Sequence, residues 1–178
     1  KQMRKLDLNI STYEVIPLGP NAGIIEYVAH SVSLNQILVV LHRNDPVSFD
    51  QARKKMKAVQ NRSKDERIRT YNKLTEVIKP QLRNFFFDYF SEPQEWLDVK
   101  KTYTKGIAAS SIVGHILGLG DRHLNNILLD YSTGKPIHID LGVAFDQGRL
   151  LPIPELVPFR LTRDVVDGFG ITGIEGLF

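Results

Sequence analysis

The chain has 178 residues, 42% of them hydrophobic and 24% charged, which is ordinary for a globular protein and enough for one core or one large lobe of a bigger protein. A net charge of +3 is too mild to argue for nucleic acid or a membrane surface as a direct partner. The absence of Cys excludes disulfides and thiolate metal sites, and no apolar run approaches the roughly 18–20 residues of a membrane span.

In chain order, Tyr13 to Leu18 reads as a strand ending at its proline, Gly19 to Gly23 as a turn, and Ile24 to Val28 as a second strand. Leu34, Ile37, Leu38 and Leu41 then follow helical spacing behind a Ser33 cap. Asp50 is expected to cap a long basic helix through Ala52, Met56 and Val59, and another helix runs from about Asp65 to Val77, stopping before Pro80. The stretch Pro80 to Phe90 carries Phe85, Phe86, Phe87 and Phe90, enough aromatic surface to pack on more than one face, and the cluster reads most simply as core. A helix over about 97–117 is expected to send Ile107, Ala108, Ile112 and Ile116 into the core, with Trp96 as a packing anchor. Leu151 to Pro158 holds three prolines and cannot be a regular helix, while Thr162 to Phe169 reads as a short final one. Lys1-Gln2-Met3-Arg4 does not open a signal peptide, and the chain looks cut from something longer.

Between these helices lies the most informative stretch. Ile127-Leu128-Leu129 and Ile137-His138-Ile139 are apolar, β-prone runs separated by the turn formers Asp130 to Pro136. Pairing them as a hairpin brings Asn126 and Asp140 out at the same open end, with Asp121 one loop away. An amide oxygen and a carboxylate meeting at one point suit Mg²⁺, and a second carboxylate nearby can accept or orient a hydroxyl proton. Asp121-Arg122 also has a blander reading as a loop ion pair, but Gly118, Gly120 and the apolar strands hold this polar cluster at the edge of a core. The Gly-x-Gly carries no nucleotide-binding weight by itself, since it lacks the third glycine and follows a helix. His138 is either a hydrogen-bonded core residue or a functional one. His115 reads as structural, His30 and His42 as surface residues without partners, and Arg53 to Lys57 as a solvated helix face.

Gly118-Leu119-Gly120-Asp121-Arg122-His123-Leu124-Asn125-Asn126 with His138-Ile139-Asp140-Leu141-Gly142 resembles the catalytic and metal-binding loops of the phosphatidylinositol 3-kinase-related protein kinases. The order Asp-Arg-His, the reverse of the His-Arg-Asp of ordinary protein kinases, belongs to that group. Val15 to Leu18 and Gly23 to Val28 resemble its strand and hinge, and Pro158-Phe159-Arg160-Leu161-Thr162-Arg163 the end of its activation segment. Asp140 to Gly148, Pro152 to Glu155, Thr162 to Gly168 and Ile171 to Gly176 resemble the ataxia-telangiectasia-mutated (ATM) kinase branch in its fungal form. The resemblance covers essentially the whole chain.

That resemblance implies an α+β fold: a fragment of the kinase with two hinge-side strands of the N-lobe over residues 1–28 and a mainly helical C-lobe over 29–178. The C-lobe would carry the catalytic loop (118–126), the metal-binding loop (138–142) and the activation segment (140–162). Asp121 would accept or orient the proton of the substrate hydroxyl, His123 would stabilise charge near the γ-phosphate, and Arg122 would brace the loop. Asn126 and Asp140 would hold Mg²⁺. Tyr27 would cover the adenine of ATP and the Val28 amide would bond to it, with Tyr13, Ile25, Glu26, Leu128 and Ile139 completing the nucleotide site. The implied activity is a serine/threonine kinase acting on Ser or Thr followed by Gln, in nuclear DNA-damage and telomere signalling. Its implied partners are an Mre11–Rad50 type break sensor, a second copy bound through regions outside this chain, and DNA only indirectly, with no membrane.

A glycine-rich phosphate loop, a strand lysine and a C-terminal FATC segment are not found in these residues, so the piece alone is expected to be inactive. Two rivals stand beside the kinase reading: a metal-dependent phosphoesterase using Asp121, His123, His138 and Asp140, and a catalytically silent pseudokinase scaffold.

Overall fold

The computed structural model describes residues 10–145, 147–151 and 154–178. Residues 1–9 of the expected N-lobe piece, and Asp146, Pro152 and Ile153 of the expected activation segment, lie outside the described residues.

β1 (Val15–Gly19) and β2 (Ala22–Ile25) pair antiparallel, Val15 opposite Ile25 and Ile16 opposite Ile24, with a register shift between Pro17 and Gly19. β1 therefore starts later than expected and runs through its proline, and β2 stops at Ile25. Val15, Ile16, Leu18, Ile24 and Ile25 are all exposed, so this ribbon is apolar without a covering layer among the described residues.

The second sheet has order β3-β4-β5, all antiparallel: β3 (Ser31–Ser33), β4 (Ile127–Asp130) and β5 (Pro136–His138). β4 and β5 form the expected hairpin, with Ile127 opposite His138 and Leu129 opposite Pro136. Its turn is built by Asp130, whose Oδ1 accepts from the Ser132 and Thr133 amides at 2.7 and 3.1 Å. β3 places Ser33 opposite Leu128, so the segment that follows the hinge-like residues becomes the hairpin's neighbour.

Six α-helices are found among the described residues, of which α1 and α5 pack on this sheet. α1 (Leu34–Leu41) starts at the expected Ser33 cap, which forms a capping box with Gln36. α2 (Phe49–Ala58) is capped by Ser48, not Asp50: Ser48 and Gln51 form a second capping box, which leaves Asp50 in the first turn favouring the helix dipole. Ser63 caps α3 (Lys64–Val77), and α4 (Leu82–Tyr89) follows. α5 (Pro93–Ile116) begins four residues before the expected start because Pro93 fits the first helical position. α6 (Arg163–Asp167) is capped by Thr162.

The core joins Leu34 and Leu38 of α1, Phe85 and Phe86 of α4, Tyr103 and Ile107 of α5, Ile127 and Leu129 of β4, and Val165 of α6. Two expectations about α5 and α4 are corrected here. Ile112 and Ile116 are exposed, because the stripe turned inward runs through Val99, Tyr103, Ile107, Ser111 and Gly114. Phe87 is also exposed, stacking on Trp96 outside the core at 5.4 Å between centroids.

His42 is a third correction. It is buried, its Nδ1 2.7 Å from Asp45 and its Nε2 3.2 Å from Asp164, and so it locks the end of α1 to α6. His30 is exposed as expected, but it has a partner in the Tyr131 hydroxyl at 3.3 Å.

Candidate active site

α5 ends in a Schellman motif. The Gly118 amide donates to the His115 carbonyl at 3.2 Å and the Leu119 amide to the Gly114 carbonyl at 2.8 Å, with Gly118 at φ 59°. That stop turns the chain sharply into the loop at 119–126. The loop is then fastened at three places. The Gly120 amide donates to Val143 and the Phe145 amide to Leu117, both at 2.8 Å, and the Asn126 amide donates to His123 at 3.0 Å.

Asp121 and Asp140 both hold left-handed backbone, φ 57° and 54°. Non-glycine residues in that region are strained, and the strain collects where surrounding contacts over-determine a side chain's position. Here the contacts are visible. The Asn126 side-chain amide donates to the Asp121 carbonyl at 3.0 Å, which commits Nδ2 and turns Oδ1 the other way. Across the hairpin mouth the Ile139 amide donates to the Asn126 carbonyl at 3.0 Å, so Asn126 and Asp140 leave the two strands side by side.

Arg122 is buried beneath them. Its guanidinium donates to the carbonyls of Gly120 and Ile139, each at 2.8 Å, and to that of Asp140. Burial pulls its pKa down while the nearby charges of Asp121, Asp140 and Glu155 push it up. The loop that holds Asp121 and the loop that holds Asp140 thus share one cation.

His123 is half exposed, its Nε2 3.9 Å from Asp121 Oδ2. Its Nδ1 accepts the Asn125 amide at 3.3 Å, which leaves the ring proton of the neutral form on Nε2, facing the carboxylate. His138 stands apart. Its Nδ1 is buried without a hydrogen-bond partner, and burial with the Arg122 charge behind it lowers its pKa to about 4. Among the described residues no three His, Asp or Glu side chains gather as a metal-holding group, which leaves the phosphoesterase reading without its donor set.

The residues expected around the nucleotide are brought together only in part. Leu128 and Ile139 lie on the hairpin next to Asn126 and Asp140. Val28 is linked to β3 through its carbonyl, which accepts the Ser31 hydroxyl at 2.7 Å. Ile25 and Tyr27 are exposed, and the Glu26 carboxylate accepts the Glu14 amide at 2.8 Å. Tyr13 lines an apolar cavity of about 460 Å³ with Val113, Leu117, Leu119, His138 and Leu141, the last two flanking Ile139 and Asp140.

One residue of this site received no role from the sequence. Glu155 accepts the Asp121 amide with both carboxylate oxygens, at 2.9 and 3.1 Å, from a position 34 residues away. No local spacing could reveal a partner that distant; only the family motif around it marked the segment. Glu155 also lines a cleft of about 430 Å³ beside Asp121, with Gly120, Gly148, Arg149, Leu156 and Val157.

The family model described as phosphatidylinositol 3- and 4-kinase matches residues 2–178. Serine/threonine-protein kinase TEL1 of Saccharomyces cerevisiae is 73% identical over 178 residues, covering 100% of this chain and 6% of the relative. Serine/threonine-protein kinase tel1 of Aspergillus oryzae is 51% identical over 178 residues, covering 98% of this chain and 6% of the relative. Among solved structures, a Tel1 kinase butterfly symmetric dimer matches with a TM-score of 0.88 at 74% identity, over 97% of this chain and 7% of that one. The FAT and kinase domain of CtTel1 matches with a TM-score of 0.91 at 49% identity, over 96% of this chain and 12% of that one. The chain spans about 6% of the length of the curated relatives it matches. Its α+β architecture is that of a kinase-fold fragment, and the chain belongs to the phosphatidylinositol 3- and 4-kinase family.

Proposed function

We propose that this chain is the catalytic-loop part of an ATP-dependent serine/threonine protein kinase, residues 1–28 ending its N-lobe and hinge and 29–178 forming its C-lobe. The observation that carries the reading is the hairpin register. It sets Asn126 and Asp140 side by side, with Asp121 held to Asn126 by a 3.0 Å hydrogen bond.

The donor set suits magnesium. Oδ1 of Asn126 is turned away from the bond its Nδ2 makes, and the Asp140 carboxylate accepts no hydrogen bond from any described residue. Both are oxygen donors, the kind a hard divalent cation prefers. When bound, Mg²⁺ would neutralise charge on the ATP phosphates.

The protein's own part is positioning. Asp121 orients the substrate hydroxyl and takes its proton; His123, with its Nε2 proton facing the site, offers a donor to developing phosphoryl charge. Arg122 keeps the two loops in fixed relation. Ile25, Glu26, Tyr27 and Val28, with Tyr13, Leu128 and Ile139, form the nucleotide side once the remaining lobe closes over the hairpin. The cleft beside Asp121 takes the substrate chain, and Arg149 on its wall supplies a polar group for the residue after the acceptor, which we take to be Gln.

From the resemblance to the ATM branch we further propose that the whole protein is a nuclear kinase of DNA-damage and telomere signalling, recruited by an Mre11–Rad50 type sensor. Homodimerisation would run through regions outside this chain, in keeping with the symmetric dimer among the solved Tel1 structures. The test is phosphate transfer by the full-length protein from ATP to matched peptides ending the motif in Gln or Leu. Transfer that prefers Ser-Gln and disappears in Asp121→Asn supports the assignment. A wild-type protein that binds Mg²⁺-ATP yet transfers nothing is the scaffold instead.

A further inference from the structure

We propose that Glu155 is a positioning residue for Asp121, through which the activation segment sets the catalytic loop. The inference rests on the kinase reading above.

Four observations meet at this carboxylate. Asp121 is left-handed at φ 57°, so its N–H points out of the run of loop amides and needs an acceptor from elsewhere. Both oxygens of Glu155 supply one, at 2.9 and 3.1 Å. The space for the carboxylate exists only because two glycines flank it: a Cβ on Gly120 or on Gly148 would stand 2.8 Å from Glu155 Oε2. The Glu155 amide in turn donates to the Gly148 carbonyl at 3.1 Å, which fixes the side chain's own origin.

Glu155 belongs to the activation segment and Asp121 to the catalytic loop. When the segment is ordered, the strained backbone of Asp121 has its acceptor. When the segment moves away, the Asp121 amide loses that acceptor and the carboxylate it carries loses its fixed direction. Segment order is thereby converted into alignment of the proton acceptor, with Glu155 touching neither ATP nor the transferred phosphate.

The experiment compares Glu155→Ala, Glu155→Gln and Gly148→Ala in the full-length protein, by steady-state kinetics with a Ser-Gln peptide and by hydrogen exchange over residues 118–126. A displacement of the catalytic group by about 1 Å costs on the order of 100-fold in rate, so Glu155→Ala is expected to lower kcat 30- to 100-fold with the KM for ATP unchanged. Glu155→Gln keeps a neutral acceptor and is expected to stay within about fivefold of wild type. Gly148→Ala, which crowds the carboxylate, is expected to behave like Glu155→Ala. The exchange arm needs no activity: the Asp121 amide is expected to exchange at least about tenfold faster in Glu155→Ala and not in Glu155→Gln.

Faster exchange with an unchanged kcat overturns the proposal. A raised peptide KM at constant kcat in both Glu155 variants also overturns it, and makes Glu155 a substrate contact. A wild-type protein with no transfer sinks the kinase reading and this inference with it.

Discussion

The Arg122 guanidinium donates to the Ile139 carbonyl at 2.8 Å, a bond across two loops that sequence separates by 17 positions. With its further bonds to Gly120 and Asp140, this one side chain satisfies three backbone acceptors that no strand or helix could serve. Removing it in Arg122→Ala should cost about 2–4 kcal/mol, since each lost bond to a charged donor leaves a carbonyl poorly solvated. Arg122→Lys keeps the charge but offers a point donor in place of the planar fork, and should recover less than half of that loss. Thermal unfolding and kcat of the full-length variants check both. Wild-type activity in Arg122→Lys would show that charge alone suffices.

Asparagine tests the two carboxylates more cleanly than alanine does. Asp121 and Asp140 sit at φ 57° and 54°, a region asparagine also visits readily, so the backbone should stay in place. Asp121→Asn should lower kcat by at least about 10³-fold while Mg²⁺-ATP still binds. Asp140→Asn should weaken Mg²⁺-ATP binding itself. Nucleotide binding by calorimetry separates the two, and equal behaviour of both variants would collapse the division of roles.

What could be read from the chain was what is local. The hairpin was legible because its apolar runs and turn formers are contiguous, whereas its register, Ile127 opposite His138, is set by the turn. The Ser33 cap was legible for the same reason. Ser48-Phe49-Asp50-Gln51 holds an equally plain capping box, and its reciprocal bonds outweigh the acid inside the first turn. Burial of His42 was not legible, because one of its carboxylates, Asp164, lies 122 positions on. The inward face of α5 was not legible, since apolar residues mark both sides of that helix and only the hairpin's arrival decides which side is core. Glu155 was hidden by distance in the same way.

That arrival is visible at two glycines. A Cβ on Gly106 of α5 would stand 2.5 Å from Cδ of Pro136, the first residue of β5. Gly134 in the turn combines φ 71° with a Cβ that would run into the Val99 side chain. Overpacking typically costs 1–3 kcal/mol, so Gly106→Ala should lose about that much and Gly134→Ala about 2–4, backbone strain included. Gly114, whose Cβ would meet only Leu119 at 3.7 Å, is the control, and Gly114→Ala should be neutral or slightly stabilising. Apparent melting temperatures should be highest for Gly114→Ala, lower for Gly106→Ala and lowest for Gly134→Ala.

Tyr103 links α5 to α6, its hydroxyl donating to the Val165 carbonyl at 3.1 Å from a fully buried ring. Burial, and then the charges of Asp164 and Asp167, push its pKa well above the usual 10. The folded state therefore favours the neutral phenol. Below pH 10 both states are protonated and the bond's stability is present in full. Above it the unfolded chain ionises first, and stability falls by about 1.4 kcal/mol per pH unit until the folded pKa is reached. Tyr103→Phe should cost about 1 kcal/mol at pH 8, where only the hydrogen bond is missing. Phenylalanine has no proton to lose, so the gap between variant and wild type should close near pH 11 and then reverse. Apparent melting temperatures of both proteins from pH 8 to 11 check this; a gap that stays constant over that range means that the hydroxyl is already solvated in the folded state.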